Sequence, residues 1–547
     1  GGIDEGEDAR TAAIRELGVP GAAFALTTRE KTIYSTGVGV RLLGDPTPVD
    51  GDSEFAIASN TKGLATLLLA KLVDEGKLQW DQPVTQVYPA FRLGSDATTR
   101  KVLVKHLVCA CTGLPRKDMQ VLLNSNPDAA ASDTFVQLAA TEPTSGFGEV
   151  FQYNNLMAAA AGYIGGYLVY PDRELGSAFY TAMDNKVFRP LGMTATTFDY
   201  DRILAPGSDW ARPHGEGIDL KPHPLTGAGM KLNYAFSRYA GAGGAWSTAN
   251  DLIKYVRFEL NEGKLDSGLP YVSAKNLLQR RVPNVPIGES ATYGMGLEVD
   301  TTWGVPVFHH GGSLAGYKTD IIVIPGANIG AVILTNAEEG QMLLRPFQRR
   351  LLELLYDGRP EAAGDVAAAA KRNATQMAEE ASHIAQVPDA AAVAALKERM
   401  AALEARVAAS GERPTVASIE WTEPLMAAGN WVPELVRIAG GEPLFAAAGQ
   451  HSPWLEWDAL AEADPDVIVM MPCGYQIPQT MRELGPVVNH PRWRDLKAVR
   501  DNRVFVADGH HFFNRPGPRL VESAEILAAC IDPAERRDAG EGWVRLG

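Results

Sequence analysis

The residues with the clearest chemical potential are Ser59-Asn60-Thr61-Lys62. They open a stretch in which Leu64, Leu67, Leu68, Leu72 and Val73 recur at helical spacing, and Gly76 ends it. Serine and lysine three apart share one helix face, so the amine can reach the hydroxyl. A serine hydroxyl becomes a useful nucleophile only when a neighbouring base accepts its proton. The free N–H groups of a helix N-terminus also favour negative charge developing nearby. Taken alone, the same four residues are far more often an N-cap and a solvated lysine. Two further pieces lie downstream. Tyr153-Asn154-Asn155 precedes the apolar run LMAAAAGYIGGYL, and His310-Gly311-Gly312-Ser313 follows the strand-like VPVFH.

Positioning such groups requires a framework, and the sequence outlines one. Residues 21–40 alternate apolar and polar positions around a polar turn, which predicts a hairpin. Residues 317–336 form two β-rich runs around Pro325-Gly326-Ala327-Asn328, a second hairpin, followed by a helix ending near Gly358. Strands at both ends of this region, with helical stretches between, predict one α+β domain whose sheet closes from both termini. Residues 361–408 turn rich in Ala, Glu, Lys and Arg and read as a helical connector interrupted at Pro388. Beyond Arg413-Pro414, TVASIEW, DVIVMMP and RVFVAD alternate with helical stretches, predicting a parallel-sheet α/β layer. The expected divisions are 1–360, 361–408 and 409–547.

Composition narrows the function classes. The 547 residues suggest three to four domain-sized units at about 150 residues each. A formal net charge of −15 argues against non-specific nucleic-acid binding, which needs a basic surface. No run approaches the ~18 apolar residues of a membrane span. The chain begins at Gly1 rather than Met, as it would after removal of a leader, although no leader is visible. Four cysteines cannot form a disulfide scaffold. Cys109 and Cys111 are too close in sequence for an unstrained mutual bridge, and Cys473 and Cys530 could pair but read rather as buried thiols. His510-His511 lacks a third ligand at convincing spacing, so a loop pair is expected and no metal. The glycines of GAGGAW (Gly241 to Trp246) do not fit a phosphate loop and instead suit a close backbone approach near a site.

The pieces FAIASNTK, HLVCACTGLP, YNN, GAGGAWSTANDL and HHGGSLAGY together resemble the serine β-lactamase-like, penicillin-recognising family of class C β-lactamases, D-alanyl-D-alanine carboxypeptidases, D-aminopeptidases and esterases. The resemblance covers roughly residues 10–395. It implies an α+β penicillin-recognising serine hydrolase fold, an antiparallel sheet plus a helical region. It implies Ser59 as nucleophile, Lys62 as the partner in its deprotonation, and Tyr153 as shared base and acid, its phenolate favoured by lysine charge. Asn155 would orient Lys62 and the substrate amide, and the backbone N–H groups of Ser59 and Ser313 would form the oxyanion hole beside Gly312. His310 stands where β-lactamases of this family carry the lysine of a Lys-Thr-Gly triplet, which points toward the esterase and peptidase members.

Residues 413–533 resemble the C-terminal lobe of cobalamin-type periplasmic binding proteins, a Rossmann-like α/β unit, with MAALEARVAAS similar to the end of their long helix. Trp431 would face the ligand cleft, and Glu434 resembles a glutamate that docks on a transporter permease. The N-terminal lobe of such proteins is absent, so a structural or docking module is expected rather than a tight binder. The expected function is hydrolysis of small peptides, including those with D-residues, or short esters through an acyl-enzyme without a cofactor. The alternative is a catalytically weak penicillin-recognising receptor or binding protein feeding the transporter-like lobe. A periplasmic or secreted location is implied, with the cytoplasm as the alternative.

Overall fold

The computed structural model describes residues 3–118, 130–217, 220–226, 228–384, 390–409, 411, 413–514, 517–532, 534 and 537–546. Two compact units divide between Ala381 and Ser382.

The first unit is built on an antiparallel nine-stranded sheet. Its strands are β1 (Gly21–Thr27), β2 (Thr32–Leu42), β3 (Asp45–Pro48), β4 (Val285–Pro286), β5 (Ala291–Tyr293), β6 (Glu298–Asp300), β7 (Val307–Leu314), β8 (Tyr317–Ile324) and β9 (Ile329–Thr335). They lie in the order β3-β2-β1-β9-β8-β7-β6-β5-β4. The N-terminal hairpin meets the C-terminal one through β1 and β9, with Ala25 opposite Val332. The sheet therefore closes from both sequence ends.

Period-2 alternation explains why the central strands are apolar on both faces. Ala23, Ala25, Ile321, Val323, Val332 and Leu334 face the large helical core. Ala22, Phe24 and Ile333 face the opposite side, against Leu343 and Leu344, while Ile322, Ile324 and Ala331 pack on Leu351 and Leu352. The helix supplying those leucines is Gln341–Leu355. Helix α1 (Thr61–Asp74) runs through the core with 11 of its residues buried, and α2 (Asn155–Val169) crosses it. Gly165 permits that crossing, since a Cβ there would press on Leu68 and Leu69 at 3.2 Å, while Gly162 lets the Gly241 backbone approach α2, where a Cβ would meet the Gly241 Cα at 2.9 Å.

The Ala-rich region forms two helices, Ala362–Ile384 and Ala390–Ala408; Pro388 lies outside the described residues. Val366 and Ala369 of the earlier helix pack beneath the nine-stranded sheet, whereas Leu403 of the later one packs in the core of the second unit.

The second unit carries strands β10 (Thr415–Thr422), β11 (Leu425–Ala427), β12 (Glu442–Pro443), β13 (Val467–Met470), β14 (Val504–Ala507), β15 (Ala539–Gly540) and β16 (Trp543–Arg545). β12, β10, β13 and β14 are mutually parallel through successive pairs, as alternation with helices requires. The sheet is mixed rather than wholly parallel, because short hairpins add β11 and β16 antiparallel at its flanks.

The cysteines depart from expectation. Cys109 and Cys111 form a disulfide, with Cα atoms 5.1 Å apart, inside the ~4.4–6.8 Å such bridges span. Ala110 between them adopts a left-handed conformation (φ 51°), which draws the two positions together. Cys473 and Cys530 both carry thiols, but only Cys530 is buried; Cys473 follows β13 on an exposed turn.

Candidate active site

Ser59 sits one turn earlier than a regular helix start. It belongs to a 3₁₀ turn, Ala58–Asn60, that feeds directly into α1. Ala58 is fully buried with φ 48°, a left-handed conformation that L-residues disfavour by about 1–2 kcal/mol. Surrounding bonds hold it. The Asn60 amide donates to Thr319 Oγ1 at 2.6 Å and to the Ile57 carbonyl at 3.2 Å, tying the turn to β8. Gly312 completes this packing: a Cβ there would lie 2.2 Å from Thr319 Oγ1 and 2.4 Å from the Ile57 carbonyl. Its contribution is close approach of β7 to the serine turn.

Lys62 is almost wholly enclosed, with three oxygens around its Nζ: Ser59 Oγ at 3.0 Å, Asn155 Oδ1 at 2.7 Å and the Ala242 carbonyl at 2.6 Å. Burial pushes its amine well below the ordinary lysine range, opposed by the Asp118 carboxylate. Asn155 begins α2, and its amide nitrogen donates to Asp118 Oδ1 at 2.9 Å, which fixes the amide oxygen toward Lys62. The glycine-rich GAGGAW segment brings the Ala242 carbonyl to the lysine. A Cβ on Gly241 would sit 3.0 Å from the Ala158 carbonyl of α2, so small residues are needed for that approach.

Tyr153 faces the same centre. Its ring centroid lies 4.6 Å from Lys62 Nζ, and Arg116 stacks over it at 5.2 Å. Burial raises its phenol, a rise only partly offset by a hydrogen bond with Ser59 and by the Arg116 charge. This corrects the expectation of a lysine-favoured phenolate: desolvation outweighs the cation, because Lys62 itself is held toward its neutral form.

His310 is buried, and both its nitrogens are occupied. The Gly311 carbonyl can only accept, so Nδ1 carries the proton across 2.7 Å, while Nε2 accepts the Tyr293 hydroxyl at 2.9 Å. Burial, reinforced by Lys62, pushes its pKa down to about 3. It is an uncharged wall rather than a replacement cation. The adjacent His309 behaves oppositely. Burial would lower it, but Asp320 at 3.4 Å and Glu298 at 3.8 Å hold it at about 9.

Ser313 lies exposed on β7, whose ladder with β6 covers only Val307, Phe308 and His309. β7 is an interior strand of the sheet, yet its stretch from His310 to Leu314 presents an edge on that side. Lys318, directly across the ladder, donates to Ser313 Oγ at 2.7 Å and pairs with Glu338 at 2.6 Å. Asn233 brackets the following turn, donating to the Ala315 carbonyl at 2.8 Å and accepting its N–H at 3.0 Å. Ser59, Tyr153, Asn155, His310 and Ser313 all line one open cleft of about 440 Å³, rimmed by Arg116, Asp118, Glu298, Lys318 and Glu338.

All seven candidate residues thus meet. Asp118, Lys318 and Tyr293 join them without a sequence motif, and the Ala242 carbonyl comes from the GAGGAW segment expected to approach a site closely. Of the three side chains, only Lys318 had a route to recognition, through cross-strand register with Ser313. In the second unit Trp431 precedes the helix Val432–Ile438 and is half-buried against its core, with its indole nitrogen enclosed and without a hydrogen-bond partner. Glu434 is exposed on that helix, and His511 Nδ1 lies 2.9 Å from Asp508.

The sheet, the buried helical core and this cleft define a penicillin-binding-protein-like fold joined to an α/β unit. The chain belongs to the beta-lactamase family, whose model matches residues 7–355; a periplasmic binding protein model matches residues 362–510. Among curated proteins it is similar to unguisins hydrolase ungD' of Aspergillus campestris, 26% identical over 339 residues, 58% of each chain. Protein flp of Staphylococcus aureus is 23% identical over 319 residues, 58% of this chain and 60% of that one. The chain thus spans about three fifths of the curated relatives it matches. Among solved structures, an octameric penicillin-binding protein homologue from Pyrococcus abyssi superposes with a TM-score of 0.55 at 22% identity, covering 66% of this chain and 78% of that one. A D-stereospecific amidohydrolase from Streptomyces sp. gives 0.50 at 22% identity, covering 64% and 97%.

Proposed function

We propose that the protein is a serine hydrolase that cleaves small peptides, including those with D-residues, or short esters through an acyl-enzyme. The observation that carries this reading is the three-oxygen cage around Lys62 Nζ. Burial lowers the affinity of Lys62 for its proton, and once the amine is neutral its two N–H bonds go to Asn155 Oδ1 and the Ala242 carbonyl, which can only accept. The lone pair is then left facing Ser59. Lys62 takes the serine proton, and Ser59 Oγ attacks the carbonyl. The backbone N–H groups of Ser59 and Ser313 receive the developing oxyanion. Tyr153, kept protonated by burial, gives its proton to the leaving group and is reprotonated by the Lys62 ammonium. Water then repeats the sequence on the acyl-enzyme.

The similarity to unguisins hydrolase supports a hydrolytic reaction, and the D-stereospecific amidohydrolase supports the fold. Exposed Glu434 is consistent with docking of the C-terminal unit on a permease, and a periplasmic or secreted setting follows from that reading. Intact-mass spectrometry after a fluorophosphonate should show one adduct on Ser59, lost in Ser59→Ala. That variant should also lose on the order of 10³ or more in turnover of any accepted ester. Retained activity would remove Ser59 as the nucleophile.

A further inference from the structure

The Cys109–Cys111 bridge belongs to a small buried cluster with Val285 and Tyr293, against which Phe151 and Tyr153 pack. The chain carrying the bridge is also the rail on which the segment leading to Tyr153 is laid. The Ala110 carbonyl accepts Gln152 N–H at 2.9 Å, and the Cys111 carbonyl accepts Gly148 N–H at 2.7 Å. The Pro115 carbonyl accepts the Asn154 side chain at 3.0 Å. Both neighbours of Tyr153 are thus anchored within a few residues of the bridge. The rail is also conformationally unusual, because Ala110 is left-handed at φ 51°, a state an alanine leaves unless its surroundings hold it.

We infer that the Cys109–Cys111 disulfide is a positioning element for Tyr153, so that hydrolysis depends on these cysteines being oxidised. This rests on the serine-hydrolase reading above. A dithiol reductant donates two electrons and two protons, converts the bridge to two thiols and closes to a cyclic disulfide itself. Two unbonded sulfurs must separate to van der Waals contact. Cys109 is 0% and Cys111 4% exposed, so the separation is taken up within the interior, where Ala110, Tyr153 and Tyr293 line a small adjoining cavity of about 20 Å³. The displacement passes to Ala110 and from there to Gln152 and Tyr153. A shift near 1 Å at a reacting group costs about 10²-fold in rate. Substrate is held largely by other walls of the cleft, so kcat should fall by about tenfold or more while KM changes little.

The test uses the full-length protein. Iodoacetamide labelling read by peptide mass mapping, with exposed Cys473 as the internal positive control, should leave Cys109 and Cys111 unmodified before treatment and label both after dithiothreitol in mild urea and return to buffer. Ester kinetics then compare oxidised protein, reduced protein shown to be folded by circular dichroism, and the Cys109→Ala/Cys111→Ala variant. The expected result is a reduced kcat and a displaced pH–rate profile in both bridge-free forms, with reoxidation restoring the reduced protein. If the double variant does not fold, the reduced protein decides. An unchanged kcat and pH profile without the bridge would overturn the inference, as would alkylation of Cys109 or Cys111 before reduction. Failure of the oxidised protein to label at Ser59 is a separate outcome, and would overturn the hydrolase reading and this inference with it.

Discussion

Lys62 is suited to be a base because its surroundings penalise charge and supply only two obligate acceptors besides the serine. This makes a sharp prediction at the residue scale. Lys62→Arg puts a permanent cation in its place that cannot accept the serine proton near neutral pH, since guanidinium titrates above ~12. Ester turnover should fall by about 10²–10⁴, the usual worth of a general base, compared per folded molecule because a larger buried cation also lowers the melting temperature. Stopped assays of both proteins across pH 6–9 check this, and activity within a few-fold of wild type would assign the proton to another group. His310 carries a second prediction. With its imidazole neutral down to about pH 3, the cleft offers no cation at that position for a β-lactam carboxylate. Glu338 pairs with Lys318, the nearest lysine along the strand edge, and lessens its pull. Cephalosporins should therefore be turned over with lower kcat/KM than the best ester or peptide across pH 5–8. A cephalosporin outrunning every ester and peptide would reverse the reading.

At the scale of elements, charged groups buried between strands and helices hold the site walls. His309 on β7 lies between Glu298 on β6 and Asp320 on β8, joining three neighbouring strands. Its pKa of about 9 stands above the ~6.5 of an unfolded histidine, so the folded state binds the proton more tightly. The resulting stability is complete below pH ~6.5 and is lost as pH rises through about 9. About 2.5 pH units correspond to roughly 3 kcal/mol. Urea denaturation of the wild type should show that loss between pH 6.5 and 9.5, and His309→Gln should flatten it. An equal slope in the variant would locate the proton elsewhere. A second network secures the helix that carries Lys62. Arg280, fully buried, donates to the Gly63 carbonyl and to Thr66 of α1 and pairs with Glu259, which also binds Arg281 at 2.8 Å. Burial would raise the Glu259 carboxyl, but the two guanidinium groups hold it below its ordinary range. Glu259→Ala leaves two buried cations uncompensated and should cost about 3–5 kcal/mol of stability by chemical denaturation.

At the scale of the whole molecule, every proposed catalytic group lies in the unit that ends at Ala381, which has its own extensive core. A chain truncated after residue 384 should keep ester kcat/KM within about twofold of the full-length protein. A folded but inactive truncation would mean that the second unit shapes the site. That unit supplies one α/β layer, whereas ligand pockets commonly enclose ~70–90% of their ligand. Isothermal titration of the full-length protein with cobalamin should accordingly show no binding tighter than micromolar.

What the sequence determined by itself was whatever repeats over short distances. Period-2 alternation marked the first hairpin of the main sheet, two β-rich runs around a Pro-Gly turn marked the second, helical spacing marked the element behind Ser59, and the alternation of strands and helices marked the α/β layer. The Ser59–Lys62 contact was legible for the same reason, since three residues along a helical turn define one face. Only the tertiary structure decided what depends on partners remote in sequence. Asp118 reaches Asn155, the Ala242 carbonyl reaches Lys62, and Tyr293 reaches His310 across separations that no local pattern records. The protonation preferences of Lys62 and Tyr153 were likewise hidden, because desolvation comes from the whole enclosing core and outweighs the one neighbouring charge that motif spacing reveals. The Cys109–Cys111 bridge was misjudged from spacing because its geometry turns on the left-handed backbone of Ala110, which carries no side-chain signature.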